Sequence, residues 1–460
     1  MTESLIRRVA ERVVSAAWDE LPRGVRGMTP LALLDALGCG MVGVRTGFHA
    51  AWAEQPVAAG GPPEATVWGG VERLPSAHAA LVNGTVAHHV EMDDGNPRAS
   101  LHGGVTIVPA ALALAEREGA SGRATLVAIV VGYEAAIALG RPLLPGIGRH
   151  RLHPPSMVGC FGATAAACRV LGLDAERTAG ALALAAELLP MGPFEAFTKG
   201  ASVKDTYGGW PAFVGVQAAT LARAALSGAL DLFEAPGDGL GPSLLHAPLD
   251  TADVAPDPDE LLHNGYKAYS TCRSVQPALT AVERLDPIDP DEIASVLVET
   301  YPYAIGLSED ADQSTAIGAR TSVPYGVASM LLDGSVYPDS FSPDALAEER
   351  RRALAARIEA RVAEDMVTPL VRGARVAVTL HDGTVLRAES RGPRWSAADP
   401  PSPDDLRTKF RRLAGHAAPP IEAAVAGLVD APDLGRLVAA LSGPFPQPLP
   451  ETGRGGGVGA

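Results

Sequence analysis

From Leu5 to about Leu262 the chain is a succession of Ala/Leu-rich runs broken by short Gly, Pro or Asp segments, and many of these runs have no polar face. "TPLALLDALGCGMVGV", "VTIVPAALALAER", "GATAAACRVLGL", "DAERTAGALALAAELL" and "WPAFVGVQAATLARAALSG" are apolar over more than one side. A helix apolar on most faces is stable only where other helices cover it, so this half predicts a multilayer helical body. "TLVAIVVGYEAAIALG", the longest apolar stretch, is interrupted by Glu134 and falls short of a membrane span of roughly 18 residues, so it reads as a buried helix.

The pattern changes near Lys267. "IASVLVETYPYAI" is β-rich, and "ARVAVTLHDGTVLRAES" is two alternating runs around Asp382-Gly383, a hairpin signal. Between them "SVPYGVASMLL" and "SPDALAEERRRALAARIEARV" read as helices, the second opened by Ser342 as N-cap and Pro343 at the first helical position. Helices resume after the Pro-rich "PRWSAADPPSPDD", with "LRTKFRRLAG" and "IEAAVAGLV". The expected organisation is mainly α with an α+β insert: residues 1–265 form the first part of a helical domain, 266–398 an α+β lid domain and 399–442 the C-terminal completion of the helical domain. Residues 443–460, Gly/Pro-rich and poor in apolar side chains, are expected to be disordered. A cleft between the two bodies is the expected ligand site.

Charge and cysteine usage narrow the functions open to such a chain. With 38 basic and 53 acidic side chains the formal charge is −15, which argues against a nucleic-acid or anionic-membrane surface. Cys39, Cys160, Cys168 and Cys272 form no CxxC pair and no zinc or iron–sulfur spacing, so buried free thiols in a reducing cytoplasm are expected. "MTESLIRRVAERVV" carries charges where a secretory signal would be apolar.

Lysine is scarce: Lys199, Lys204, Lys267 and Lys409 stand against an arginine majority. Where arginine is the default cation, a retained lysine invites a chemical reason, because a compact ammonium can enter an enclosed site and respond to it electrostatically. The densest polar cluster is "NGTVAHHVEMDDGNPRASLHGG", where Glu91, Asp93 and Asp94 precede a Gly/Asn/Pro loop and His102. Carboxylates near an imidazole orient it or raise its pKa, and the backbone N–H groups after His102 face an anion. His88 and His89 read as packed against, or capping, the preceding helix. No HxxxH or HxH frames these residues, and no metal is expected. In "GRHRLHPPSMVGCFGATAAA", His153 precedes Pro154-Pro155 and a glycine-punctuated helix, while His150 reads as exposed. "FTKGASVKDTYGGWPAFVG" supplies Lys199 and Lys204, "NGYKAYSTCRS" supplies Lys267, Cys272 and Arg273, and "ARTSVPYGVASML" supplies Arg320, Ser322 and Tyr325. Several cations, two imidazoles and a phenol are the inventory for holding a polyanion and moving protons on it.

Taken in order, these clusters resemble the MmgE/PrpD family, which includes 2-methylcitrate dehydratase, cis-aconitate decarboxylase and an iminodisuccinate epimerase. The resemblance runs from "LPRGVRGMTPLALLDALGCGMVG" through "KDTYGGWPAFVGVQAATLA" and "GYKAYSTCR" to "PSPDDLRTKF", nearly the whole chain. It implies a large helical domain with a smaller α/β lid, a homodimer, a small carboxylic acid as substrate and no cofactor. Residue by residue it implies catalytic roles for His102, His153, Lys204, Lys267 and Tyr325, and substrate contacts from Glu91, Asp94, Cys272, Arg273 and Arg320. Lys409 matches a "KF" expected to be structural. One departure stands out: several members place a histidine shortly after the equivalent of Lys267, whereas "AYSTCRSVQP" has Cys272 and Gln276. Cys272 is then either a proton donor, if a neighbouring cation lowers its pKa, or a packing residue. The activity this implies is a cofactor-free lyase of the 2-methylcitrate dehydratase type, with an isomerase, an epimerase, a decarboxylase or a non-catalytic metabolite-binding relative as alternatives.

Overall fold

A computed structural model describes residues 4–247, 249–367 and 372–443. The tail expected to be disordered therefore lies, apart from Gly443, outside the described residues.

The apolar runs form the helical body. In the helix Gly122–Gly140 every residue from Thr125 onward is buried; the same holds from Gly103 to Ala115 in Gly103–Glu118 and from Pro155 to Cys168 in Pro154–Val170. Two segments, Arg23–Arg45 and Gly122–Arg149, are long and apolar enough to cross a membrane, yet 83% and 89% of their most apolar windows are buried inside the protein, as core helices are. Close packing requires missing side chains at the crossings. A Cβ on Gly132 would stand 2.6 Å from the Ile107 side chain and 3.0 Å from the Gly162 carbonyl oxygen, so only glycine lets these helices approach. Ser121 caps Gly122–Gly140 by accepting from the Ala124 amide, and Asp174 caps Ala175–Glu187 from the Arg177 amide. A two-stranded ribbon, Ala65–Thr66 with Arg73–Leu74, adds to this body.

The lid is built on a four-stranded mixed sheet. Ile293–Thr300 pairs in parallel with Ile358–Val362 and antiparallel with Ala374–Leu380, which forms a hairpin with Val385–Ser390. The turn carries Gly383 at φ 88°, the conformation its glycine was read to supply. Helices Gln276–Val282 and Val323–Asp333 pack against the sheet. The expected helix over "SPDALAEERRRALAARIEARV" is shorter than its pattern: Ser342 caps Pro343–Ala347, a second helix covers Glu349–Ala355, and Ile358–Val362 is a strand. Its alternation of Ile358, Ala360 and Val362 with Glu359 and Arg361 is that of a strand, and pairing from Val296 to Thr300 overrides the helical preference of its alanines.

The chain then returns to the helical body. Pro403–Ala414 opens with a Ser402/Asp405 capping box and packs on Arg23–Arg45, where buried Lys409 sits 2.6 Å from Asp35. Lys409 also donates to the Met92 carbonyl at 2.6 Å, so the returning helix is fixed to the acidic loop.

Candidate active site

That loop follows the helix Ser76–His88. Glu91 has φ 50°, left-handed for a side chain that rarely adopts it, at a cost of roughly 1–2 kcal/mol. The turn places its buried carboxylate between two lysines. Glu91 Oε1 accepts from Lys267 Nζ at 2.8 Å, while Oε2 meets Lys204 Nζ, which also donates to the His88 carbonyl at 3.2 Å. Lys267 Nζ is 3.6 Å from Asp93 Oδ1. Burial works against both carboxylates, but their neighbours outweigh it: Lys204 and Lys267 hold Glu91, and Lys267 with the facing His88 and His102 rings holds Asp93, well below the usual carboxylate range. Burial likewise opposes the Lys267 charge, and Asp93 and Glu91 hold its pKa above that of an ordinary lysine.

Asp93 is also an orienting group. Its Oδ2 lies 2.7 Å from His102 Nδ1 and 3.2 Å from His88 Nδ1. His102 Nδ1 is 2.7 Å from the Asp94 backbone oxygen as well. A carbonyl only accepts, so Nδ1 carries the proton and Nε2 holds the free lone pair. This is the tautomer of a general base, with a carboxylate placed to stabilise the imidazolium that forms. His102 precedes the helix Gly103–Glu118, and a Cβ on Gly103 would stand 2.1 Å from the Tyr133 ring. Only glycine there lets the Tyr133 hydroxyl reach Asp94 Oδ2, at 2.7 Å.

His153 precedes the helix Pro154–Val170 and is sealed by aromatic rings: Tyr207 at 4.2 Å between centroids, Phe194 at 5.8 Å and Phe197 at 6.4 Å. Its Nδ1 has no partner among the described residues. Burial, then the nearby His88, His102 and Lys204, push its pKa well below the ordinary value, so it is neutral at physiological pH.

These groups meet at a cavity of about 880 Å³ between the helical body and the lid. Of the residues singled out from the sequence, Glu91, His102, His153, Lys204, Cys272 and Arg273 line it. Lys267 does not: it is fully buried behind Glu91, with its charge engaged there. Asp94 is also off the wall, its oxygens taken by the Gly104 amide at 2.8 Å and by Tyr133 and Asn264, each at 2.7 Å. Tyr325 donates to the Ser340 carbonyl at 2.8 Å in the lid core, and Arg320 lies under the Phe341 ring at 4.9 Å. Lys267, Asp94, Tyr325 and Arg320 are thus not among the residues that line the cavity. Cys272 takes a hydrogen bond from Ser274 Oγ at 3.3 Å, and burial, followed by Glu91, pushes its thiol up instead of down, so it is not a thiolate.

Sequence reasoning passed over His88, Asp93, Phe194, Phe197, Tyr301, Tyr303 and Arg372. Asp93 was visible as one of three carboxylates, but spacing alone did not say which would face an imidazole. His88 was read as packing, and it is buried, yet it also lines the cavity. His88, Asp93 and His102 bring ligand atoms within 4.8 Å of one another, close enough for a metal ion. The donor set fits one poorly, since Asp93 Oδ2 already serves both rings and the Lys267 ammonium lies 3.6 Å from Oδ1.

A helical body and an α+β lid enclose an oriented imidazole, a neutral second imidazole and several cations, the residue types of an acid–base enzyme. Residues 7–248 match the MmgE/PrpD N-terminal domain and residues 269–431 the MmgE/PrpD C-terminal domain, and the chain belongs to the MmgE/PrpD family. It is 29% identical to human cis-aconitate decarboxylase over 446 residues, covering 90% of this chain and 89% of that protein. It is 28% identical to the mouse cis-aconitate decarboxylase over 441 residues, covering 89% and 87%. The cis-aconitate decarboxylase-like protein oryM of Aspergillus oryzae is 27% identical over 464 residues, covering 92% and 94%.

Proposed function

We propose that the chain is a cofactor-independent lyase that acts on a polycarboxylic acid by developing negative charge on a carbon beside a carboxylate, with His102 transferring the proton. The observation that carries this reading is the anchoring of His102 Nδ1 on Asp93 and the Asp94 carbonyl, which leaves Nε2 for the ligand. Carbon loss is the preferred outcome, because the relatives above are named as cis-aconitate decarboxylases. In that reaction the bond to a departing carboxylate breaks and its electron pair moves to carbon beside a second carboxylate. His102 Nε2, having taken a proton from water to give the imidazolium that Asp93 stabilises, then delivers it to that carbon. Lys204, which lines the wall while paired with Glu91, donates to the carboxylate that takes up the developing charge.

Dehydration of a 2-methylcitrate-like acid is the second reading, favoured by the presence of a second imidazole on the same wall. His102 then removes the carbon-bound proton, and the N–H of His153 assists the departing hydroxyl. The four free cysteines fit a reducing cytoplasm, which belongs to the same proposal. Incubation with cis-aconitate, citrate, 2-methylcitrate and iminodisuccinate separates the outcomes: released carbon dioxide marks the decarboxylase, and an olefinic product with its carbon skeleton intact marks the dehydratase. A folded protein that leaves all four unchanged contradicts both assignments for these acids.

A further inference from the structure

The cations at the cavity are not equivalent. Lys204 is committed to Glu91, and Lys267 to Glu91 and Asp93. Arg273, by contrast, makes no hydrogen bond or ion pair among the described residues, although its Nη1 is enclosed. Its guanidinium rests against the backbone at Gly265, where a Cβ would stand 1.9 Å from Nη2, so a side chain at that position would displace it. Burial, and then the charge of Arg372, push its pKa down to about 10. Arg372, exposed, lines the same cavity, so two like charges share a wall. Glu309 and Asp310, which also line it, are exposed and form no ion pair with Arg273 among the described residues. An enclosed, fixed guanidinium without a counter-charge is the complement of a ligand carboxylate.

The size and chemistry of the rest of the wall add a second constraint. About 880 Å³ lies near the upper end of the roughly 300–1,000 Å³ that encloses drug-sized ligands, and a six-carbon acid occupies a small part of it. Leu152, Phe194, Phe197, Pro277 and Leu307 line the same space. A highly charged small acid gains nothing from these side chains, whereas an apolar substituent does.

We propose that Arg273, supported by Arg372, binds a substrate carboxylate remote from His102, and that the substrate is a polycarboxylic acid bearing an alkyl or aryl substituent longer than a methyl group. This rests on the lyase reading for the site, but binding tests it apart from turnover.

The experiment is calorimetric titration of the full chain with propane-1,2,3-tricarboxylate and with homologues carrying methyl, butyl and hexyl groups at the central carbon. The wild type is compared with Arg273→Gln, Arg273→Lys and Arg372→Gln. Affinity is expected to rise roughly four-fold per added methylene until the apolar wall is filled. Arg273→Gln is expected to weaken every member at least ten-fold, with Arg273→Lys recovering part of the loss and Arg372→Gln showing a smaller one. Where turnover is measurable, Arg273→Gln raises KM more than it lowers kcat. Affinity that is flat or falls with chain length overturns the substrate assignment without any variant being needed. Unchanged affinity in folded Arg273→Gln and Arg372→Gln overturns the anion subsite. Tight, chain-length-dependent binding without carbon chemistry supports the subsite while contradicting the lyase reading.

Discussion

Glu91 shows how residue-level reading of a sequence succeeds and then stops. Scarcity marked Lys204 and Lys267 as chemically significant, and both converge on this one carboxylate. Their sequence positions gave no sign that Glu91 would neutralise them, because that depends on a backbone turn at φ 50°. Arg273, one arginine among many in composition, makes no hydrogen bond or ion pair among the described residues. His153 supplies a test of its burial. Its folded-state pKa lies below its unfolded value, so between them the unfolded chain binds more protons, and stability is lost as pH falls below about 6.5. Asp35, raised to about 6, works in the opposite sense, so the test must be differential. From pH 6.5 to 5 the wild type should lose up to about 2 kcal/mol more than His153→Gln, measured by urea unfolding.

At the scale of elements, most of what periodicity and turn chemistry predicted is present. The core helices are buried where the sequence is apolar on all sides, and the Asp382-Gly383 hairpin joins the expected strands. Ile358–Val362 was missed because alanine and arginine favour a helix locally, while its pairing partner lies some sixty residues earlier in sequence. The catalytic loop depends on elements distant in sequence as well. Lys409, on the returning helix Pro403–Ala414, joins Asp35 to the Met92 carbonyl beside the site. Lys409→Met should destabilise the protein by about 3–5 kcal/mol in urea unfolding by stranding a buried carboxylate, and pairing it with Asp35→Leu should recover most of the loss.

For the whole molecule, the consequence is a site assembled from both bodies. His88, His102, His153 and Lys204 come from the helical body, and Tyr301, Tyr303 and Leu307 come from the lid. The sequence indicated a cleft but not its wall, since Phe194 meets Tyr303 only after the chain has folded back. A ligand bridging the two bodies should slow backbone hydrogen exchange in both Phe194–Lys204 and Tyr301–Asp310. The core helix Gly122–Gly140 should be unchanged when saturating propane-1,2,3-tricarboxylate is added, as read by mass spectrometry. Protection confined to one body would place the ligand elsewhere.

In the proposed chemistry His102, fixed by Asp93, moves a proton to or from carbon. The direct measurement is proton NMR in D2O with cis-aconitate, 2-methylcitrate and longer-chain alkyl homologues, comparing the wild type with His102→Gln. Deuterium is expected at the carbon beside a carboxylate, in product or recovered acid, formed at least about 100-fold faster by the wild type than by the variant. Equal incorporation by a folded His102→Gln protein, or none by the wild type with any of these acids, would contradict it.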